Sequence, residues 1–472
     1  MSDQNEVNGE AIQETLSPVD NQIYVTRALA TQDEIHRRVQ RANAAQLSWA
    51  AVPLIERKLL CIRAIDILMS QKSALANELC WMMGRPIRYC EGEIDGVNER
   101  AQYLFKVCEQ GLSPIHLAEK AGVTRYIKRE PLGVVMIIAP WNYPYLTAIN
   151  SLIPTLLAGN SVIMKHSAQT PLCAERLVAA FEKAGMEKGV FQYLHTSHDN
   201  TLACIAQEAI HHVAFTGSVL GGQKVEQAAA GRFMHLGLEL GGKDPAYVRS
   251  DAKINQVVDT LVDGAFFNAG QSCCAIERIY VHASLYDEFV AAFMQKVLQF
   301  KLGRSNDPNT TLGPMVSHLA AQNVRAQIQE AIALGATAHI DEALFPLSQL
   351  GTAYLAPQVL TEVNHQMKVM TTESFGPVIG IQKVSDDDEA IALMNDSDFG
   401  LTAAIFTQDI EAGTALGDRV NTGTVFINRC DYLDPALAWT GVKQSGRGCS
   451  LSILGFESIT RPKSYYIKHS VS

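Results

Sequence analysis

The chain is predicted to be an α/β protein whose strands are mostly parallel and covered by helices on both faces. Short apolar runs at 134–138, 160–165, 189–194 and 213–216 alternate with helical patterns at 150–157, 171–184 and 200–208. The most hydrophobic of these runs are apolar at consecutive positions, as strands buried on both faces are. A second alternation starts near Ala246, with helices at 254–267 and 286–300 and strands at 278–281, 338–340, 378–381, 403–406 and 424–428.

Ahead of both alternations, residues 31–118 read as helix, with apolar residues recurring at three- and four-residue spacing and Gly84-Arg85-Pro86 closing the longest run. The last segment, SYYIKHSVS, alternates weakly and is expected to be an extended strand, either at a sheet edge or across a subunit interface. No internal repeat or low-complexity linker interrupts the chain.

The length of 472 residues allows about two to four domains. A net charge of −10 gives no global basic surface, so no nucleic-acid partner is expected. The acidic, polar start lacks a secretory signal. The most apolar stretch, 134–159, is broken by Pro140, Asn142, Pro144, Asn150 and Pro154, so no membrane span is expected and the default location is cytoplasmic. Ten cysteines form no CxxC pair, and no clustered metal-ligand set is present; His211 and His212 read as structural.

Four segments carry chemistry. In FNAGQSCCA a helical run ends in a small, glycine-containing turn with Cys273 and Cys274 adjacent; a thiolate there accepts backbone N–H groups and suits a nucleophile. Two buried structural thiols are the alternative on local pattern alone. In LELGGKDP, Glu239 lies between leucines with two glycines behind it. Burial raises a carboxyl toward neutrality, as a general base requires, and an exposed edge-strand glutamate is the alternative. FTGSVLGG suits a phosphate at a helix N-terminus without matching the GxGxxG spacing. In PWNYP, Asn142 is an oxyanion donor or a turn residue.

Together with MKHSAQTP, ESFGPV, GTVFIN and KQSGRG, these segments occur in an order that resembles the aldehyde dehydrogenase superfamily, from about residue 20 to 465. The resemblance implies a Rossmann-type cofactor domain, an α/β catalytic domain and a small β oligomerisation element. It implies Cys273 as nucleophile, Glu239 as the base that activates the deacylating water, and Asn142 as the oxyanion amide. Lys165 is implied at the adenosine ribose, Glu373 at the nicotinamide ribose and Phe375 beside the nicotinamide, with Trp141, Gly217, Ser218 and Gly222 along the cofactor path. The cofactor is then NAD or NADP and the reaction oxidation of a small aldehyde to an acid through a thiohemiacetal and a thioester. Retention of Glu239 argues against a coenzyme A-acylating enzyme, and retention of the whole set argues against an inactive binding protein.

By the same resemblance residues 1–123 and 139–242 bind the cofactor and 243–428 form the catalytic domain. Residues 124–138 and 456–472 mediate a homodimer or homotetramer, and 429–455 return near the substrate tunnel. Three positions depart from the family pattern. Ala168 stands where NAD-preferring members commonly place a glutamate, so room for a 2′-phosphate beside Lys165 is expected. Gly221 replaces a branched residue near the adenine, which is expected to loosen the pocket wall. Asn150 stands where simple-aldehyde enzymes place an aromatic; with Thr147 it is expected to bond a polar substrate tail, while Tyr143 and Trp439 face an apolar body. No arginine in these segments announces a carboxylate. Arg429 is either a surface or interface ion pair or a substrate contact.

Overall fold

In a computed structural model, residues 5–7 and 10–469 are described. The helical N-terminal region folds as α1 (Gln32–Ala51), α2 (Leu54–Met69), α3 (Lys72–Met83) and α4 (Ile87–Leu112). Thr31 caps α1, its hydroxyl accepting from Glu34 N at 3.2 Å. Gly84 ends α3 in the left-handed region at φ 79°, where an added Cβ would also meet Pro314 Cγ at 2.8 Å. The buried stripe of α4 runs through Cys90, Ile94, Val97, Ala101, Leu104 and Cys108, and it also contains Glu93 and Arg100.

A six-stranded sheet follows, with the spatial order Gly446–Arg447, His235–Glu239, Ile210–Thr216, Val134–Ala139, Ser161–His166, Phe191–Tyr193. Its five inner-sequence strands are parallel, and the first of them, Val134–Ala139, lies between the second and the fourth. Chain connections therefore reverse direction on either side of Val134–Ala139, and the crevice opens past the ends of Val134–Ala139 and Ile210–Thr216. A ligand site is expected there. Gly446–Arg447 joins antiparallel at the edge, against Leu238 and Glu239.

Helix α5 (Pro144–Leu157) starts six residues before the expected position. Pro144 presets the first helical φ, and Glu93, 52 residues away from Tyr145, takes the Tyr145 N–H at 2.8 Å. A cap from another helix leaves no local trace in sequence. Helices α6 (Pro171–Lys183), α7 (His198–Ile205) and α8 (Val219–Ala229) cover the remaining crossovers. The expected helix at 200–208 thus begins two residues earlier and ends three earlier: Ser197 caps it, accepting from Asn200 N at 3.2 Å.

The second sheet has seven strands in the order Thr337–Ala338, Gln358–Thr361, Val378–Val384, Ile276–His282, Asp244–Val248, Thr402–Phe406, Thr424–Ile427. All are parallel except Thr337–Ala338. The strand expected at 338–340 is found at 337–338: His339 N–H is shared between Val359 O at 3.0 Å and the Gln358 side chain at 3.1 Å, and Ile340 N–H turns to the Gln358 side chain at 3.0 Å. Helices α9 (Ile254–Phe266) and α10 (Tyr286–Val297) start where expected and end one and three residues earlier.

The tail forms Thr460–Lys468, antiparallel to Val123–Pro131, with Tyr126 stacked on Tyr465 at 4.7 Å. Residues 470–472 of the expected tail strand lie outside the described residues. Among the described residues no helix is long and apolar enough to cross a membrane.

Candidate active site

Helix α9 ends at Phe266, and the chain then makes a left-handed run at Asn268 (φ 52°), Ala269 (φ 57°) and Gly270 (φ 70°). Two consecutive non-glycine residues in that region are strained and must be held by their surroundings. Gln271 holds them: its side chain donates to Asn268 O at 3.0 Å and accepts from Val316 N at 2.7 Å. Cys273 follows, partly exposed, and lines two cavities, one of about 420 Å³ and one of about 300 Å³. Cys274 is buried behind it. The neighbouring Cys273 thiol, burial and Asp431 push the Cys274 thiol far above its usual range. Its Sγ donates to Asp431 Oδ1 at 3.0 Å, as does Ser272 Oγ at 3.0 Å. The two adjacent thiols are therefore unequal: only Cys273 opens onto both cavities.

Asn142 sits at the mouth of the crevice. Its Nδ2 donates to Gln271 O at 3.3 Å, which leaves the second amide proton for an oxyanion, and the Cys273 backbone N–H makes no hydrogen bond among the described residues. The Asn142 carbonyl accepts from Arg85 Nη2 at 2.6 Å, while Arg85 Nε donates to Asn268 Oδ1 at 3.2 Å. Arg85 is in turn paired with Glu93.

Glu239 ends its strand directly opposite Thr216 on one side and Gly446 on the other. Thr216 Oγ1 donates to Glu239 Oε2 at 3.0 Å, and Ser450 Oγ donates to Oε1. Burial raises the Glu239 pKa above the usual carboxylate value, while these two hydroxyls and the charge of Arg100 pull it back. Such a group ionises closer to neutrality than a free carboxyl.

The 420 Å³ cavity is the candidate dinucleotide site. It is lined by Trp141, Asn142, Lys165, Ala168, Gly217, Ser218, Glu239, Cys273, Glu373 and Phe375. Lys165 is buried without a hydrogen-bond partner among the described residues, and burial lowers its pKa to about 8. Ser218 caps α8, accepting from Gly221 N at 3.2 Å, so the cavity meets a helix N-terminus. Glu373 accepts from Gly242 N at 3.0 Å, and burial and Glu277 raise its pKa to about 7. A Cβ at Gly241 would meet Glu373 Oε1 at 2.4 Å, so glycine is required for the carboxylate to sit there. Phe375 meets Trp141 edge-on at 5.6 Å, and its N–H donates to Glu277 Oε1 at 2.8 Å. A lone buried cation at one end and a carboxylate beside two aromatic rings at the other fit a nicotinamide dinucleotide.

Two cofactor-side expectations are corrected. Gly222 packs under Leu240, where a Cβ would come within 2.7 Å, and does not line the cavity. The wall at Gly221 is not loosened: a Cβ there would meet Phe215 Cζ at 2.7 Å, so the phenyl ring fills the space.

The 300 Å³ cavity carries Tyr143 and Thr147, as expected, beside Cys273. Trp439 is buried against Cys274, Leu401 and Leu451 and is not part of the cavity lining. Asn150 is 1% exposed and also absent from it; its Oδ1 accepts from Arg100 Nη1 at 3.0 Å. Arg429 makes no ion pair among the described residues and lies over the Tyr432 ring at 4.6 Å. The arginine that lines the cavity is Arg100, on α4. It was missed because α4 lies far from the motifs. The available signal was two charges, Glu93 and Arg100, seven residues apart on an otherwise apolar stripe.

Comparison with known proteins identifies the family. Residues 5–465 match the model of the Aldehyde dehydrogenase family. A succinate-semialdehyde dehydrogenase [NADP(+)] of Deinococcus radiodurans is 33% identical over 95% of this chain and 93% of its own length. The structure of a betaine aldehyde dehydrogenase from Staphylococcus aureus in complex with NAD+ aligns with a TM-score of 0.92 at 28% identity, covering 99% of this chain and 94% of that one. That of a succinic semialdehyde dehydrogenase from Streptococcus pyogenes with NADP+ aligns at 0.91 and 29% identity, covering 97% and 100%.

Proposed function

The chain belongs to the aldehyde dehydrogenase family and oxidises an aldehyde to its carboxylic acid with hydride transfer to NAD or NADP, and from that premise we propose the residues that do so. Cys273 adds to the aldehyde carbon. The oxyanion accepts hydrogen bonds from the second Asn142 amide N–H and from the Cys273 backbone N–H. When bound, NAD or NADP supplies the hydride acceptor that turns the Cys273 thiohemiacetal into a thioester. Glu239 then draws a proton from water, which attacks the thioester and frees the acid and the thiol.

The observation that carries this reading is that Cys273 is the one residue shared by the linings of the two cavities. A nucleophile at that junction meets substrate from one side and cofactor from the other, which is the proximity the hydride step needs. The test is absorbance at 340 nm without coenzyme A, for NAD and NADP, beside Cys273→Ser. Signal lost in the variant supports the reading; an absolute need for coenzyme A overturns the role given to Glu239.

Lys165, Ser218, Glu373, Phe375 and Trp141 hold the cofactor on this reading, with Lys165 and Ala168 admitting the 2′-phosphate of NADP. Tyr143 and Thr147 flank the aldehyde, and Trp439 supports them from behind. The division into cofactor, catalytic and oligomerisation units is supported by the six-stranded sheet, the seven-stranded sheet and the sheet that holds the tail, except that residues 134–138, given above to the oligomerisation element, lie within the six-stranded sheet and so fall to the cofactor unit. Self-association through the Val123–Pro131 and Thr460–Lys468 strands, and work in the cytoplasm, complete the proposal.

A further inference from the structure

Apart from Lys165 in the cofactor cavity, the buried cations elsewhere among the described residues are satisfied. Arg85 is paired with Glu93, and Lys243 Nζ lies 2.7 Å from Glu277. Arg278 donates to the carbonyls of Lys243, Leu393 and Met394 at 2.8, 3.1 and 2.9 Å.

Arg100 is different. It is only 9% exposed, yet its two hydrogen bonds both leave from Nη1, to Leu146 O at 3.2 Å and Asn150 Oδ1 at 3.0 Å. No carboxylate lies within ion-pair distance of it among the described residues. Its Nε and Nη2 carry no hydrogen bond among the described residues and are not sealed from solvent, and Arg100 lines the 300 Å³ cavity that also holds Cys273. A guanidinium removed from water without a counter-ion is costly unless an anion completes it.

Three carboxylates share that cavity lining, and none answers Arg100. Glu99 and Asp263 are exposed, where solvent and salt screen them. Asp431 already accepts from Ser272 and Cys274. The charge set deepest in the wall is therefore positive, and Tyr143, Leu146, Phe267 and Leu433 supply an apolar middle.

We propose that Arg100 is a specificity residue that binds a carboxylate at the far end of the substrate, so that the enzyme acts on short ω-oxo acids. This rests on Cys273 being the nucleophile at the other end of the same cavity. Two nitrogens without partners on a planar fork match a carboxylate in geometry as well as charge. Asn150, which does not reach the cavity, is then a positioning residue: it holds Nη1 and turns the remaining nitrogens inward.

The test compares 4-oxobutanoate, pentanal and 3-aminopropanal as substrates of the full-length enzyme, Arg100→Met and Arg100→Lys, with circular dichroism confirming the fold. Wild type is expected to prefer 4-oxobutanoate. The ratio of kcat/KM for 4-oxobutanoate over pentanal should fall about 10- to 100-fold in Arg100→Met, with Arg100→Lys recovering part of it. An unchanged ratio, or 3-aminopropanal as the best wild-type substrate, overturns the proposal. If wild type oxidises none of the three, the failure falls on the Cys273 reading. Ligand-observed NMR with butanoate then decides Arg100 alone: weaker binding by about tenfold in Arg100→Met supports it, and equal binding overturns it.

Discussion

Arg85 and Glu93 form an ion pair with side chains 1% and 0% exposed, and through it a helix distant in sequence from Cys273 fixes the backbone of Asn142. Glu93 spends its other oxygen on the first turn of α5, at Tyr145 N. One pair of charges thus ties together the turn before Cys273, the oxyanion amide and the start of a core helix. Glu93→Gln leaves the guanidinium without its counter-charge in the interior. Denaturant unfolding should show a loss of about 3–5 kcal/mol, large against the usual stability of a domain.

The neighbouring cysteines should separate cleanly in activity. Cys273→Ser should lower NAD(P)H formation by at least about three orders of magnitude, because the thiolate nucleophile is gone. Cys274→Ser keeps a donor toward Asp431 and should stay within about tenfold of wild type. Steady-state rates at 340 nm for the two variants check both statements.

Activity limited by deacylation should rise with pH through the pKa of Glu239, since the charged carboxylate is the base. Burial places that pKa above the ordinary carboxyl value. Ser450 donates to the charged form and so favours it. Ser450→Ala removes that support, and the acid limb of the pH–rate profile should move up by about one pH unit. A limb that stays in place would show that Ser450 does not hold the base.

Ala168 leaves Lys165 without a competing carboxylate in the ribose pocket. Ala168→Glu should lower kcat/KM for NADP relative to NAD by about tenfold or more, through repulsion of the 2′-phosphate. Lys165→Met should reduce NADP use more than NAD use. Initial rates with each cofactor at a fixed aldehyde concentration measure both ratios.

Val134–Ala139 and Ser161–His166 were legible because both faces of each are buried, which writes apolar runs into the sequence. Cys273, Glu239 and Asn142 were legible because each sits in a short segment with glycine or proline beside it. What escaped detection depends on contacts between distant segments. Arg100 declares its role only once α4 is packed beside α5 and the turn at Cys273. The early start of α5 depends on Glu93, and the firmness of the wall at Gly221 depends on how Phe215 turns its ring. Trp439 and Asn150 lie close to the reaction centre in sequence motifs, yet their side chains pack behind the cavity wall. Proximity along the motifs did not distinguish lining from backing.

The hydroxyl that steadies Glu239 comes from Ser450, 211 residues later in the chain, on the segment that follows the Gly446–Arg447 edge strand. On a translating ribosome the glutamate and the nucleophilic thiol are made first. At roughly 5–20 residues per second, on the order of ten to forty seconds pass before Ser450 is made. Until then Glu239 lacks one of its two hydroxyl partners, and a nascent chain carries Cys273 before it carries a finished site. Completion of synthesis, rather than folding of the first sheet, is what arms the site.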